Sequence, residues 1–278
     1  MTPDDRSMKS DPSGMQASLF PSAAQSVVYE QPLNERMRNC LRLEHLFQGI
    51  EAGIRAGGEW EARDALARML EICDFLSRTD VKGELSKELE RDINIFNGLK
   101  NNPGVNPELL DKTLGSISGV LGRLKASDYQ PGQRLRNDEL ANQVRQRITI
   151  PGGTCSFDVP ALHYWLNADP ALRATHLNAW MKDLRVVERA AGIILELVRE
   201  SSNPRSVVAH GGFYQQQIEP STPCTLVRVL MPPNAAVYPE ISGGKHRFTV
   251  RFYSQKSTAN RAAQAPEDIP FDLQCCGI

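Results

Sequence analysis

No stretch of this 278-residue chain is apolar for the roughly 20 residues that a bilayer-spanning helix requires. The most apolar run, Ala190 to Val198, is about half that length and ends in Arg199 and Glu200, so it reads as a core helix. Residues Met1 to Asp11 mix acidic and basic side chains, and no signal-type apolar run follows. Net charge is nearly absent too, at −1, which removes any whole-chain attraction for nucleic acid or anionic lipid. Electrostatic binding must then come from local clusters. The six cysteines, Cys40, Cys73, Cys155, Cys224, Cys275 and Cys276, never fall at C-x-x-C spacing. Most have core-like neighbours, so a reduced, cytoplasmic protein is expected. The vicinal pair Cys275-Cys276 is a conceivable redox or metal site, but adjacent residues on a strand point to opposite faces, which argues against it.

Catalytic signatures are missing as well. Gly243-Gly244-Lys245 is followed by His246 rather than the hydroxyl residue of a phosphate-binding loop. Gly115-Ser116-Ile117-Ser118-Gly119 places Ile where a nucleophile elbow needs serine. His210-Gly211-Gly212 reads as a turn between strands. No two of the five histidines fall at a metal-ligand spacing such as H-E-x-x-H. Cys155 and His163 are a conceivable nucleophile and base, with nothing beside them to support it. No enzyme, metal or cofactor is expected.

What is present is ordinary globular composition, 41% apolar and 23% charged. Residues 1–27 are polar and aperiodic and are expected to form a disordered N-terminal extension. Val27 to Glu30 reads as a short strand closed by Pro32. From Asn34, a good N-cap, the period is helical up to Gly57-Gly58. Further helices are expected over about 60–77, 82–99, 107–124, 137–147, 159–166, 170–182 and 186–200. Beyond Asn203-Pro204 the period drops to two, with strands over 212–219, 224–231, 245–254 and 269–275. Arg147 to Ile150 is strand-like also, which leaves open that residues 147–158 join the sheet. The expected class is α+β: a mainly helical domain over 28–202 beside an antiparallel β domain over 203–278.

Two basic clusters stand out. In the strand beginning at Lys245, alternation puts His246, Phe248, Val250 and Phe252 on a core face. It puts Lys245, Arg247, Thr249, Arg251 and Tyr253 on the opposite one, three cations with no acid between them. On the first helix Arg38, Arg42 and His45 share one side, with Glu35 and Glu51 as available partners. Arginine suits such clusters to carboxylates, because its planar fork makes charge-assisted bonds.

Blocks of this sequence resemble the ZapD family of cell-division proteins. They are Tyr29-Glu30-Gln31-Pro32-Leu33-Asn34-Glu35-Arg36-Met37-Arg38 with Leu41 to Glu44, and Val144 to Pro160 running on to Leu162-His163. Tyr238 to Gly243 with Lys245, Arg247-Phe248 and Arg251-Phe252 match too, as does Phe271-Asp272-Leu273 with Cys275-Cys276. The resemblance implies a cytoplasmic homodimer with a helical and a β domain, located at the midcell division ring. Such a protein would bind the acidic, apolar C-terminal tail of the tubulin-like protein FtsZ in a basic pocket and cross-link its filaments. The positions similar to that pocket are Arg38, Arg42, His163, Arg247 and Arg251, and Lys245 lies beside them. At Glu139 the resemblance calls for a basic residue, and Arg136 lies nearby. The alternative reading is a nucleic-acid-binding protein using the same arginines. It is disfavoured because Tyr253 is the one aromatic that the strand offers to a base.

Overall fold

The computed structural model describes residues 26–221, 223–255 and 257–278; the extension expected over 1–27 falls almost entirely outside them. The helices form where local signals put them. Helix α1 (Glu35–Ala56) starts at Asn34, whose side chain accepts from the Met37 amide at 2.9 Å, and stops at Gly57 with φ 70°. Helices α2 (Glu59–Arg78), α3 (Val81–Gly98) and α4 (Pro107–Lys125) follow, the last two capped by Asp80 and Asn106. The short α5 (Gln133–Arg136) precedes α6 (Glu139–Arg147). Asp138 caps α6 and also accepts from the Trp180 indole at 3.0 Å. Helices α7 (Pro160–Leu166), α8 (Pro170–Met181) and α9 (Arg185–Glu200) complete the set. Helix α9 packs on α1, α3 and α4, and its Ile194, Leu195 and Ala190 lie in the centre of the helical core.

Residues 148–158 form successive turns rather than a strand, so the segment 147–158 does not join a sheet. Each turn closes locally, as in the bonds from Ile150 to Arg147 and from Gly153 to Ile150. A Cβ on Gly153 would lie 2.4 Å from the Arg147 carbonyl, so the tightness depends on glycine there.

The strands divide into two antiparallel sheets. One has the order β1 (Val27–Pro32), β4 (Leu226–Met231), β8 (Ile269–Cys276), β2 (Arg205–Ala209). The other has β3 (Phe213–Gln217), β6 (Arg247–Ser254) and β5 (Tyr238–Gly243), with the short β7 (Ala263–Gln264) also on β6. They face one another across Val227, Val229, Phe271 and Leu273 from the first sheet and Phe248, Val250 and Phe252 from the second. The Phe252 and Phe271 rings are 5.0 Å apart. The first sheet is covered on its other side by the helices, where Leu226 and Cys276 enter the helical core. That explains why β4 lacks clean alternation: both of its faces are buried. Strand β1 comes from the N-terminal side of the helices yet pairs with β4 throughout, so the β layer draws on residues before 203.

A half-buried ionic network joins the layers. Glu30 of β1 accepts from Arg199 of α9 at 2.8 and 2.6 Å and from Arg228 of β4 at 2.8 Å. Arg199 also forks onto Glu44 of α1, with both bonds at 2.7 Å. Arg228 donates in turn to Gln274 at 2.7 Å.

A second acidic feature is unfavourable at neutral pH. Asp92 of α3 is 2% exposed. Burial, and then the neighbouring Glu88 carboxylate, push its carboxyl up to about 7, against an opposing pull from Arg91. The folded state therefore holds this proton more tightly than the unfolded chain. The cost of ionising Asp92 is fully present above pH 7 and vanishes as pH falls towards 4. Asp92→Asn should raise stability by about 1–3 kcal/mol at pH 8 and by much less at pH 5. Urea titrations of parent and variant at both pH values check this; equal gains at the two would refute it.

Candidate functional site

The basic face is built on β6, the central strand of the outer sheet. Phe248, Val250 and Phe252 point inward and are fully buried, which leaves Arg247, Thr249 and Arg251 on the outer side. His246, expected on the core face, is instead exposed, because the ladder begins only at Arg247 and His246 belongs to the hairpin turn. Gly244 follows the last residue of β5 and opens that turn, its amide donating to the Arg247 carbonyl at 3.0 Å. Lys245 stands at its tip, exposed.

Flanking strands complete the face. Phe213 pairs in register with Arg251, Gln215 with Thr249 and Gln217 with Arg247 on one side. On the other, Glu240 lies opposite Arg251 and Ser242 opposite Thr249. Phe213, Gln215, Ser242, Lys245, Arg247 and Arg251 line an open depression of about 560 Å³. The Arg251 guanidinium lies over the Phe213 ring, 5.4 Å from its centroid. Among the described residues no carboxylate forms an ion pair with Lys245, Arg247 or Arg251. A cross-strand carboxylate, Glu240, does interrupt the purely basic character expected from β6 alone.

The α1 cluster behaves differently. Glu35 pairs with Arg38, and with Arg42 at 3.8 Å, so its two arginines are partly neutralised within their own helix. Glu51 pairs with Arg185 instead. The start of α1 meets the β5–β6 hairpin from its inner side through Leu33, which precedes the Asn34 cap and packs against the core between the sheets. A Cβ on Gly243 would meet Leu33 at 2.9 Å and Phe248 at 2.7 Å, so glycine lets the hairpin press against the start of α1.

His163 lies elsewhere in the chain. It is exposed on α7, in contact with Asn167 at 3.5 Å. The end of α7 is tied to the far end of α1: Arg173 donates to the carbonyls of Leu166 and Gly57, both at 2.7 Å. Gly57 is roughly 28 Å along the helix from Arg38 at 1.5 Å per residue. The Leu33–Gly243 approach thus sets the β5–β6 hairpin beside the start of α1, and the Arg173 bonds put the end of α7 beside its other end.

Cys155 donates to Asp158 at 3.4 Å while the His163 ring meets Asn167, so among the described residues no thiol–imidazole hydrogen bond joins the two. His210-Gly211-Gly212 is the turn joining β2 to β3, with φ of 56° and 68° at the glycines, and Gly115 to Gly119 is continuous helix. Glu139 accepts from Gln143, and Arg136 donates to the Pro131 carbonyl at 2.7 Å, so Arg136 is engaged in its own loop. Sequence reasoning missed Phe213 as a member of the basic face, since only the β3–β6 register sets it beside Arg251. Among the described residues no set of side chains is grouped to hold a metal ion, and no helix is long and apolar enough to cross a membrane.

The model of a cell-division protein family, ZapD, matches residues 41–251. A cell division protein ZapD of Methylococcus capsulatus is 38% identical over 250 residues, 90% of this chain and 98% of the relative. One from Coxiella burnetii is 34% identical over 256 residues, 92% of this chain and 99% of its own. A third, from Cronobacter sakazakii, is 36% identical over 250 residues, or 90% and 98%.

Proposed function

This chain belongs to the ZapD family of cell-division proteins, and we propose that it acts without catalysis, by holding the acidic C-terminal tail of FtsZ on the β6 face. As a homodimer it would cross-link FtsZ filaments at the midcell ring. The observation that carries this reading is the open depression with Arg247 and Arg251 uncommitted to described carboxylates. Their separation along β6 is about 13 Å, the pitch at which an extended peptide offers side chains four residues apart. Arg38 and Arg42 on α1 would add secondary contacts in this proposal. Release from Glu35 onto a tail carboxylate is an exchange of one exposed pair for another, so each contributes little alone.

His163 is a distal contact in this proposal. About ten extended residues would span the length of α1, so a tail anchored on β6 reaches His163 only at its far end or across a dimer. Calorimetry with the isolated tail peptide tests this ranking. His163→Ala should weaken binding by about threefold or less, and Arg247→Ala by more than that. Light scattering at micromolar concentration should give about twice the 30.9 kDa chain mass. A monomer that fails to pellet with FtsZ filaments would overturn the cross-linking role.

Nucleic-acid binding remains the second reading, and one observation favours it. Phe213 is 37% exposed beside Arg251, and Tyr238 stacks near Tyr253 at 6.1 Å, so the outer sheet offers more aromatic surface than β6 alone. An oligonucleotide carrying the same charge as the tail peptide separates the two. Tighter binding to the oligonucleotide would replace the FtsZ proposal.

A further inference from the structure

Outside the basic face, the open end of the sandwich gathers two thiols with an arginine and a glutamine. Strand β2 starts at Arg205, opposite Leu273, so beyond that pair β8 has β4 on one side and no strand on the other. Cys275 therefore lies half-buried on the sandwich side of β8, while Cys276 turns into the helical core and donates weakly to the Arg199 carbonyl at 3.9 Å. The neighbour of Cys275 is not Cys276 but Cys224, half-buried in the segment leading into β4. A Cβ on Gly277 would lie 2.6 Å from the Pro223 carbonyl and 3.1 Å from the Cys224 nitrogen. Glycine there lets the Cys224 backbone come alongside the end of β8, and Cys224 and Cys275 both pack against the core between the two sheets.

The polar groups around Cys275 are arranged in series. Arg205 and the Tyr214 hydroxyl both donate to the Gln216 carbonyl oxygen, the latter at 3.0 Å. That fixes the amide so that its nitrogen faces the Cys275 sulfur at 3.8 Å. Gln216 presents a donor to this sulfur, and Arg205 a cation beside it.

We propose that Cys275 is an oxidation site for hydroperoxides and that Cys224 resolves it to an intramolecular disulfide. The Cys275 thiolate attacks the peroxide oxygen, the O–O bond breaks, and hydroxide or alkoxide leaves with a proton from solvent. The Cys224 thiol then attacks the sulfenic sulfur, forming the S–S bond and releasing water. Two thiols are oxidised by two electrons and one peroxide is reduced.

The electrostatics agree with this assignment. A hydrogen bond from Cys224, with the Arg205 charge behind it, pulls the Cys275 thiol down to about 7 against the effect of its burial. The same bond pushes Cys224 above the ordinary thiol range, as expected of the partner that keeps the shared proton. Cys40 and Cys73 are pushed up to about 12 and about 11 by burial and are poor competitors. Cys224 itself lies ahead of the paired β4–β8 register, which begins at Leu226.

The full chain, treated with equimolar hydrogen peroxide and mapped by non-reducing peptide mass spectrometry, should show a Cys224–Cys275 cross-link before any other thiol reacts. In Cys224→Ser, with circular dichroism as the folding control, Cys275 should instead accumulate as a sulfenic acid captured by dimedone. The parent needs no variant for a third reading: iodoacetamide should label Cys275 with a midpoint near pH 7 and ahead of Cys155. Arg205→Ala should slow that labelling at pH 7 by about threefold to tenfold, since one unit in thiol acidity is tenfold in thiolate. A cross-link between other cysteines, or labelling of Cys275 no faster than of Cys155, would overturn the proposal.

Discussion

Reversing both charges in Arg247→Glu/Arg251→Glu should weaken binding of the FtsZ tail at least about 100-fold while the thermal midpoint stays within a few degrees. The outward face of β6 is exposed, so truncating either arginine removes a solvated contact worth under about 1 kcal/mol, about fivefold in affinity at most. Reversal adds repulsion to that loss at two points, and roughly 3 kcal/mol in total is a factor of about 100. The fold should survive because β6 contributes to the core through Phe248, Val250 and Phe252, each 0% exposed, on the other side of the pleat. Arg251 should matter more than Arg247, since its stacking on Phe213 holds the guanidinium in place before the peptide arrives. Calorimetry on the double variant, with circular dichroism alongside, decides the matter. Unchanged affinity in a folded variant would mean that these arginines are only solvated surface charges. Binding by the parent should weaken with salt, because exposed charges are screened beyond about 8–10 Å at physiological ionic strength.

Removing Glu30 should have the largest effect on stability, about 2–4 kcal/mol for Glu30→Ala. Glu30 is the carboxylate shared by Arg199 and Arg228, with a side chain only 16% exposed. Its loss leaves two guanidinium groups facing each other in a half-buried space, with Glu44 left to balance Arg199 alone. Glu30→Gln should cost less, because the amide oxygen keeps one hydrogen bond without the charge. Since β1, α1, α9 and β4 meet at this residue, the variant should also loosen the hairpin against Leu33 and lower tail affinity modestly. Urea unfolding of the three proteins measures the stability order, and a loss below about 0.5 kcal/mol for Glu30→Ala would show that the network is only a solvated surface cluster.

Much of this protein was determined locally and so could be read from sequence. Asn34, Gly57, Asp80, Asn106 and Asp138 mark helix ends because a side chain or a left-handed glycine satisfies backbone groups within a few residues. Alternation along β6 separated its core residues from Arg247 and Arg251 for the same reason, as a pleat has a period of two whatever surrounds it. The strand-like run from Arg147 misled because its β-branched residues are followed by Pro151-Gly152-Gly153, whose turns close on the preceding carbonyls before any partner strand is met. Pairing between distant segments was decided only by the tertiary structure. Nothing near Phe213 in the chain announces Arg251, and nothing near Cys275 announces Cys224. The division of the strands into two sheets, and the position of His163 towards the far end of α1 from Arg38, likewise follow from long-range packing. Those contacts arise when the helical and sandwich cores bury apolar surface together, and burial is non-directional, so local sequence leaves its partners open.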